Sequence, residues 1–133
     1  MTAPVITHEI PSDLKNDPEH PIPFLRVIDV AAYKKDGGAE LSIIVASPLQ
    51  GDPRSQTRLL DKIQGYLSHL TSDEFLADAG CSPNPGNTTI CVALHPGSSS
   101  VIQDLLQRCH VWVESNNAKL VVSELSADQL SGT

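Results

Sequence analysis

The 133-residue chain is poor in basic and aromatic residues. Nine Lys and Arg stand against sixteen Asp and Glu, which leaves a formal net charge of −7, and aromatic residues make up 4% of the sequence. Nucleic-acid-binding surfaces need basic side chains for the phosphates, and single-strand binders add aromatic rings on which bases stack. The composition therefore argues against a nucleic-acid partner.

Long hydrophobic runs are also missing. No apolar run approaches the roughly 20 residues that a membrane-spanning helix requires. The first residues, MTAPVITHEIPSD, contain neither a basic start nor the apolar stretch of a secretion signal. We therefore expect a cytoplasmic protein with no membrane partner.

Cysteine is scarce, with Cys81, Cys91 and Cys109 alone in the sequence. An odd number at wide spacing does not fit a disulfide framework. Cys91 falls in an apolar strand pattern and Cys109 on the apolar side of a helix pattern, where reduced cysteines act as small hydrophobic residues. This usage is typical of a reducing compartment.

Proline is concentrated near the start, at positions 4, 11, 18, 21 and 23, where it disfavours regular helices and strands. We expect residues 1–23 to form a Pro-rich arm and residues 24–125 a single α/β domain. Residues 126–133 form a polar tail. The arm is either loosely extended or docked on the domain through its apolar residues, namely Val5, Ile6, Ile10, Leu14 and Ile22.

Four segments carry strand patterns: residues 24–33, 40–47, 88–95 and 119–125. The turn Asp36-Gly37-Gly38 joins the first two and predicts an antiparallel hairpin. Alternation along the second and third strands puts their large residues on one side, where we expect the helices to lie. These residues are Leu41, Ile43, Val45, Ile90, Val92 and Leu94.

Two segments carry helix patterns. Residues 54–70 place apolar residues in steps of three and four, after Asp52 as N-cap and Pro53 in the first turn. Gly65 is expected to mark a close approach to the sheet. The pattern assigns the solvent side to Arg58, Asp61, Lys62 and Gln64.

The second helix pattern covers residues 101–114 and ends at Asn116-Asn117, because Asn tolerates the left-handed conformation at a helix end. Between the helices, residues 71–87 are irregular. Residues 73–76 could add one helical turn there, with Phe75 and Leu76 filling the core.

The resulting order predicts an α/β (α+β) fold. Its elements are a ββαβαβ succession in a two-layer sandwich, with a mixed four-stranded sheet and two helices mainly on one face. The side of the sheet away from the helices carries small, half-polar residues such as Ser42, Ile44 and Cys91. We expect either the N-terminal arm or a second subunit to cover it.

Two motifs lie at the start of the predicted domain and in its first helix. Val27-Ile28-Asp29 leads through the hairpin into Leu41-Ser42-Ile43 and on to the helix segment Lys62-Ile63-Gln64-Gly65-Tyr66-Leu67. This pattern resembles a small family of uncharacterised bacterial domains, which has a similar strand and a Lys-Leu-Asn-x-Tyr-Leu-like segment. The likeness covers residues 24–125, with Gly65 and the loop before the helix as departures. The family carries no assigned activity, so the resemblance implies an element order and a bacterial cytoplasmic setting and transfers no functional residue.

The turn after the third strand is the candidate ligand site. It consists of His95, Gly97, Ser98, Ser99 and Ser100, with Pro96 between them. Backbone N–H groups at a helix start favour phosphate or carboxylate. However, the lysine of a phosphate-binding loop and the glycine spacing of a dinucleotide loop are absent. The alternative interpretation is a plain helix cap by Ser98 or Ser99.

Other chemistry finds less support. The histidines lack metal-binding spacing, and His110 points about 100° away from Cys109 on a helix, so we expect no metal or other cofactor. A Ser98–His95–Asp29 triad can be sketched without any nucleophile motif. Asp73, Glu74 and Asp78 could pair, or could simply be solvated.

Two further features concern surfaces. Arg54 and Arg58 would share an exposed helix face and, with Arg108, could form a small basic patch; ordinary solvation is the alternative. Trp112, the single tryptophan, either anchors a protein contact or packs at the core edge.

The leading hypothesis is a non-enzymatic domain that acts through self-association as a homodimer. The alternative is a binder of a small anion at residues 95–100, with at most weak enzymatic activity.

Overall fold

The computed structural model of the chain describes residues 16–125. Most of the predicted arm, residues 1–15, and the predicted tail, residues 126–133, lie outside these described residues. Eight elements follow one another along the described part. They are β1 (Val30–Tyr33), β2 (Ala39–Val45), α1 (Pro53–His69), α2 (Asp73–Ala79), β3 (Thr88–Leu94), α3 (Ser100–Gln107), α4 (His110–Ser115) and β4 (Lys119–Glu124).

The strands form one mixed sheet in the order β1-β2-β3-β4. β1 and β2 are antiparallel, with Tyr33 opposite Ala39, and β2, β3 and β4 are parallel. The hairpin turn depends on Gly37 and Gly38, whose φ angles of 99° and 103° disfavour any side chain. The prediction of an α+β fold with a mixed four-stranded sheet is confirmed.

The chain has two more helices than the predicted element order, and one of them extends the single helical turn expected over residues 73–76. The first is α2, which begins at the cap Ser72 and ends at Gly80 with φ 77°. The second arises because the helix predicted over residues 101–114 is broken at Arg108 and Cys109, between α3 and α4. There the Cys109 N–H donates to the carbonyl of Leu106, and the carbonyl of Leu105 accepts a hydrogen bond from the Cys109 thiol. The last turn of the helix is therefore tightened.

The core lies between the sheet and the helices. All six alternating residues predicted to face the helices on β2 and β3 are buried and pack in one cluster with helix residues such as Leu59, Ile63 and Ile102. Phe75 of α2 is also buried, as predicted. Leu76 is 38% exposed, so its predicted core role is wrong.

Strand β1 is shorter than predicted, because residues 24–29 do not join the sheet. They run beside α1, where the carbonyls of Phe24 and Val27 accept hydrogen bonds from the Lys62 ammonium group. Gly65 approaches this segment and not the sheet: a Cβ there would lie 3.4 Å from the carbonyl oxygen of Leu25. The start of the domain is therefore held by α1.

Candidate functional site

The predicted turn connects the end of β3 to the start of α3 and is bound to the loop after β2. The Ser98 hydroxyl accepts a hydrogen bond from the backbone N–H of Leu49 at 3.1 Å, and the Ser99 N–H donates to the Leu49 carbonyl at 2.9 Å. Ser99 is the N-cap of α3, and its hydroxyl accepts from the N–H of Val101. Ser98 is buried, whereas Gly97 is exposed.

Most backbone N–H groups of this turn have partners inside the protein. The Gly97 N–H donates to His95 Nδ1 at 2.9 Å, and the Ser98 N–H donates to the His95 carbonyl. Ser99 and Val101 donate as described above. An anion would have to compete with these hydrogen bonds for the donors that attract it.

A small cleft lies beside His95, between β4 and α3. Its walls come from Leu94, His95, Gln103, Val122, Ser123 and Glu124. The cleft includes neither Ser99 nor an arginine, and its one charged side chain is the carboxylate of Glu124. This lining gives an anion no positive partner.

The sketched triad is not assembled. Asp29 accepts from the Lys62 ammonium group at 3.0 Å and from the Ile44 N–H at 3.0 Å. His95 Nδ1 accepts from the Gly97 N–H within the turn, and the Ser98 hydroxyl accepts from the Leu49 N–H of the loop after β2. Asp29 therefore belongs to a different hydrogen-bond network.

The remaining candidates are also dispersed. Asp73, Glu74 and Asp78 are exposed on α2, and burial raises the pKa of the Cys109 thiol. Within residues 16–125 no group of three or more His, Cys, Asp and Glu is placed to hold a metal ion.

The sequence pattern misplaced two cations of α1. Arg58 and Lys62 were expected in solvent, yet they are 0% and 1% exposed, so a basic patch with Arg58 is wrong. The Arg58 guanidinium donates to the carbonyl of Ile22 through Nε at 3.0 Å and Nη2 at 2.7 Å. Buried cations require such partners, and these ones fix the chain before β1 along the helix.

Lys62 is the centre of a network that the two resemblance motifs form together. Its ammonium group bonds Asp29 of the first motif. The Tyr66 hydroxyl of the second motif accepts from the Asp29 N–H at 2.7 Å and donates to the Ser42 carbonyl at 2.6 Å. Burial raises the pKa of Tyr66 above its ordinary value. The network joins α1 to the start of β1 and to β2, so its role is to stabilise the fold.

A second polar chain ties the described start of the molecule to the N-terminus of α1. His20 Nδ1 accepts from the Ile22 N–H, so its Nε2 carries the proton and donates to the Ser55 hydroxyl at 3.1 Å. Ser55 in turn donates to Asp52, the N-cap, at 2.8 Å. Burial, together with the charges of Arg58 and Arg54, lowers the pKa of His20. No pattern in the sequence indicates this role for His20, because its partner Ser55 lies 35 residues away along the chain.

The side of the sheet away from the core, here called the reverse face, is uncovered by residues 16–125. The strand register places its residues in three rows. Val30 and Val121, at the two ends of the middle row, are 47% and 38% exposed. The rows are Ala32-Glu40-Thr89-Lys119, Val30-Ser42-Cys91-Val121 and Ile44-Ala93-Ser123.

Comparisons with known proteins found no match to this chain among models of protein families, curated proteins or solved structures. Among the described residues, no helix has the length and apolar character needed to cross a membrane.

Proposed function

We propose that this chain is a non-enzymatic, cytoplasmic α/β domain, a two-layer sandwich that acts by associating with a second copy of itself through the reverse face. The observation that carries the proposal is the group of exposed and half-buried apolar side chains on that face, Val30, Ile44, Cys91 and Val121. Apolar side chains grouped on an uncovered face mark interaction sites in soluble proteins.

The composition of the face supports a protein partner. Val30 and Val121 are exposed at the two ends of the middle row, Cys91 is half-buried within that row, and Ile44 is half-buried in the next row. A fully solvated antiparallel or mixed sheet would carry polar residues at these positions. The described N-terminal segment leaves the face open, because residues 22–29 are held along α1 by Arg58 and Lys62.

The charges at the end of the face support a second copy of the same chain. Exposed Glu40 on β2 and exposed Lys119 on β4 lie in one row, separated by Thr89. A two-fold interface brings the same patch of both subunits together, so opposite charges on one patch can pair reciprocally. With the two-fold axis along the strands, Glu40 of one subunit lies within reach of Lys119 of the partner subunit.

Light scattering tests the proposal over a range of protein concentrations. We expect the wild-type chain to reach twice the mass of one chain, and Val121→Lys and Val30→Lys to remain monomeric with unchanged circular dichroism. Val111→Lys is the matched control, because Val111 is 75% exposed on α4, away from the reverse face. It should dimerise like the wild type. A wild-type chain that stays monomeric at high concentration contradicts the proposal.

The anion-binding hypothesis for residues 95–100 has less support. The N–H groups of Gly97, Ser98 and Ser99 have internal partners, and Glu124 lines the adjacent cleft. A phosphate titration followed by NMR separates the two functions. The association proposal expects no saturable shifts in this turn, and saturable shifts confined to Gly97–Ser100 would favour the anion instead.

A further inference from the structure

Strand β4 is an edge of the sheet, because among residues 16–125 it pairs with β3 alone. The Leu125 N–H donates to the Leu94 carbonyl at 2.8 Å, and Leu94 lies opposite Glu124. In a parallel pair, this bond means that the odd-numbered residues of β4 direct their backbone groups toward β3. The backbone N–H and C=O groups of Leu120, Val122 and Glu124 therefore point away from the sheet, toward the free edge.

A groove follows this edge on the helix side of the sheet. Val122 lies opposite Val92, which is buried in the core, yet Val122 itself is 38% exposed. The space over Val122 has a volume of about 330 Å³, and its walls come from Gln103, Gln107 and His110. It continues into the smaller cleft described above, because Gln103 and Val122 line both. The groove therefore runs beside the outward-facing backbone groups of β4.

An extended peptide backbone matches both the edge and the groove. Unpaired N–H and C=O groups along a strand are a template to which another strand adds. Alternate side chains of an added strand lie on one face of the sheet, so every second one enters the groove. Between Leu120 and Ser123, β4 contains no charged residue and no proline, which are common protections of an edge. The other edge strand, β1, has four residues and offers a shorter template.

The groove also specifies the side chains of the added strand. Val122 provides an apolar floor, and Glu124 provides a carboxylate in the adjoining cleft. The two residues share one face of β4 and are about 7 Å apart along it. An antiparallel strand with an apolar residue over Val122 therefore has the residue two positions earlier beside Glu124, where Lys or Arg pairs with the carboxylate.

We propose that the β4 edge binds an extended basic segment of a partner protein as an added antiparallel strand. The segment has the order cation, any residue, apolar residue. It extends the sheet sideways and leaves the reverse face free, so the proposal does not depend on the proposed dimer.

A second copy of β4 fits this edge less well than such a segment. Leu120, Val122 and Glu124 direct their backbone groups outward, so antiparallel self-pairing joins these residues only to one another. Lys119 lies on the other face of the strand, because side chains alternate. No register of self-pairing therefore gives Glu124 the Lys119 of the partner subunit.

An NMR titration of the full chain with a synthetic peptide tests the proposal. The probe is Thr-Lys-Thr-Val-Thr-Thr, acetylated and amidated so that its termini carry no charge. We expect saturable shifts of the N–H signals of Leu120, Val122 and Glu124. Exchanging the peptide's Lys for Glu should weaken binding at least about threefold, and Glu124→Gln should reduce that difference to less than about twofold.

Backbone methylation of the peptide provides the matched control. Methyl groups on the Lys and Val nitrogens remove donors that face β4 and should abolish binding. A methyl group on the Thr between them alters a nitrogen that faces away, and the affinity should stay within about twofold. Val122→Arg should also abolish binding, whereas the Val121→Lys monomer should bind like the wild type. Failure here is thereby distinguishable from failure of the proposed dimer.

Several results overturn the proposal. They are the absence of saturable shifts at millimolar peptide, an equal effect of methylation on both kinds of nitrogen, and saturable shifts confined to the reverse face. Hydrogen exchange of the peptide-free Val121→Lys variant identifies other occupants. Slow exchange of the Leu120, Val122 and Glu124 N–H groups at low concentration would mean that the same chain covers the edge. Exchange that slows as the concentration rises would mean that a second copy does, and either result contradicts the proposal.

Discussion

Helix α1 is buried on two sides by two different kinds of chemistry. Toward the sheet, Leu59 and Ile63 pack in an apolar core. Toward the N-terminal segment, Arg58 and Lys62 bond backbone carbonyls and one carboxylate. The apolar side tolerates exchange of residues of similar shape, whereas each polar contact depends on a particular partner. The comparison indicates that the segment before β1 is held by few interactions, each with a large individual effect.

The largest expected effect comes from removing the cation at the centre of the polar side. Lys62→Met keeps most of the side-chain shape and leaves Asp29 and two carbonyls without their charged donor. We expect the free energy of unfolding to fall by about 2–3 kcal/mol, because the carbonyls of Phe24 and Val27 and the Asp29 carboxylate lose their charged hydrogen-bond donor. Urea denaturation measures it.

Lys35→Met is the control for this change, because Lys35 is exposed in the hairpin turn and should lose less than about 0.5 kcal/mol. Adding Asp29→Asn to Lys62→Met removes the orphaned charge and should restore part of the loss. A loss below about 1 kcal/mol for Lys62→Met alone would show that the polar side contributes little.

The second effect concerns the hydroxyl that links the polar side to the sheet. Tyr66→Phe removes the hydrogen bonds to the Asp29 N–H and the Ser42 carbonyl. The expected loss in unfolding free energy is about 1–2 kcal/mol. Tyr33→Phe is the matched control, since Tyr33 is 39% exposed and should change stability little. Equal losses for the two variants would argue against the network.

The difference between the apolar and polar sides of α1 also explains which parts of the fold could be predicted from the sequence. The period-2 and period-3.6 patterns indicated the buried residues of β2, β3 and α1, because apolar burial is periodic along each element. They failed for Arg58 and Lys62, whose burial depends on carbonyls roughly 35 residues away in an irregular segment. Charge alone predicts solvent exposure, so only the fold identifies these partners.

The candidate turn shows the same limit. Its composition predicted a helix start, and Ser99 is the cap of α3. The loop after β2, which binds Ser98 and Ser99 through Leu49, lies far away in sequence. Local chemistry could therefore suggest open N–H groups without indicating that other loops use them. Likewise, the half-apolar reverse face followed from strand alternation, while the identity of its cover did not.

A smaller effect on stability is expected at Gly65, where α1 faces the N-terminal segment. It distinguishes close packing of that segment from the helix propensity of the residue. A Cβ at Gly65 would meet the Leu25 carbonyl at 3.4 Å, an ordinary contact. Gly65→Ala should therefore raise the free energy of unfolding by up to about 1 kcal/mol through helix propensity. Gly38→Ala is the contrasting variant and should destabilise, because φ is +103° and the Cβ would lie 2.2 Å from the Asn87 carbonyl oxygen. Destabilisation by Gly65→Ala would indicate tighter packing of the segment than described.

The smallest expected effect is a pH dependence at His20, which faces the charges of Arg54, Arg58, Asp17 and Asp52. Its pKa is lowered in the folded protein from 6.5, so the unfolded chain binds more protons. The stabilisation is therefore complete above pH 6.5 and is lost as the pH falls below that value. Thermal unfolding between pH 7.5 and 5 should show a steeper decline for the wild type than for His20→Gln. Parallel pH curves for the wild type and His20→Gln would show that His20 does not contribute to this pH dependence.

The most direct test of the proposed association uses two cysteines of the same molecule. Cys91 lies in the middle of the reverse face, and Cys81 lies outside it; both are free and half-buried. Alkylation rates of each thiol can be measured by mass spectrometry across protein concentrations. We predict that the Cys91 rate falls as the concentration rises while the Cys81 rate stays constant. A Cys91 rate that does not change with concentration would contradict association through this face.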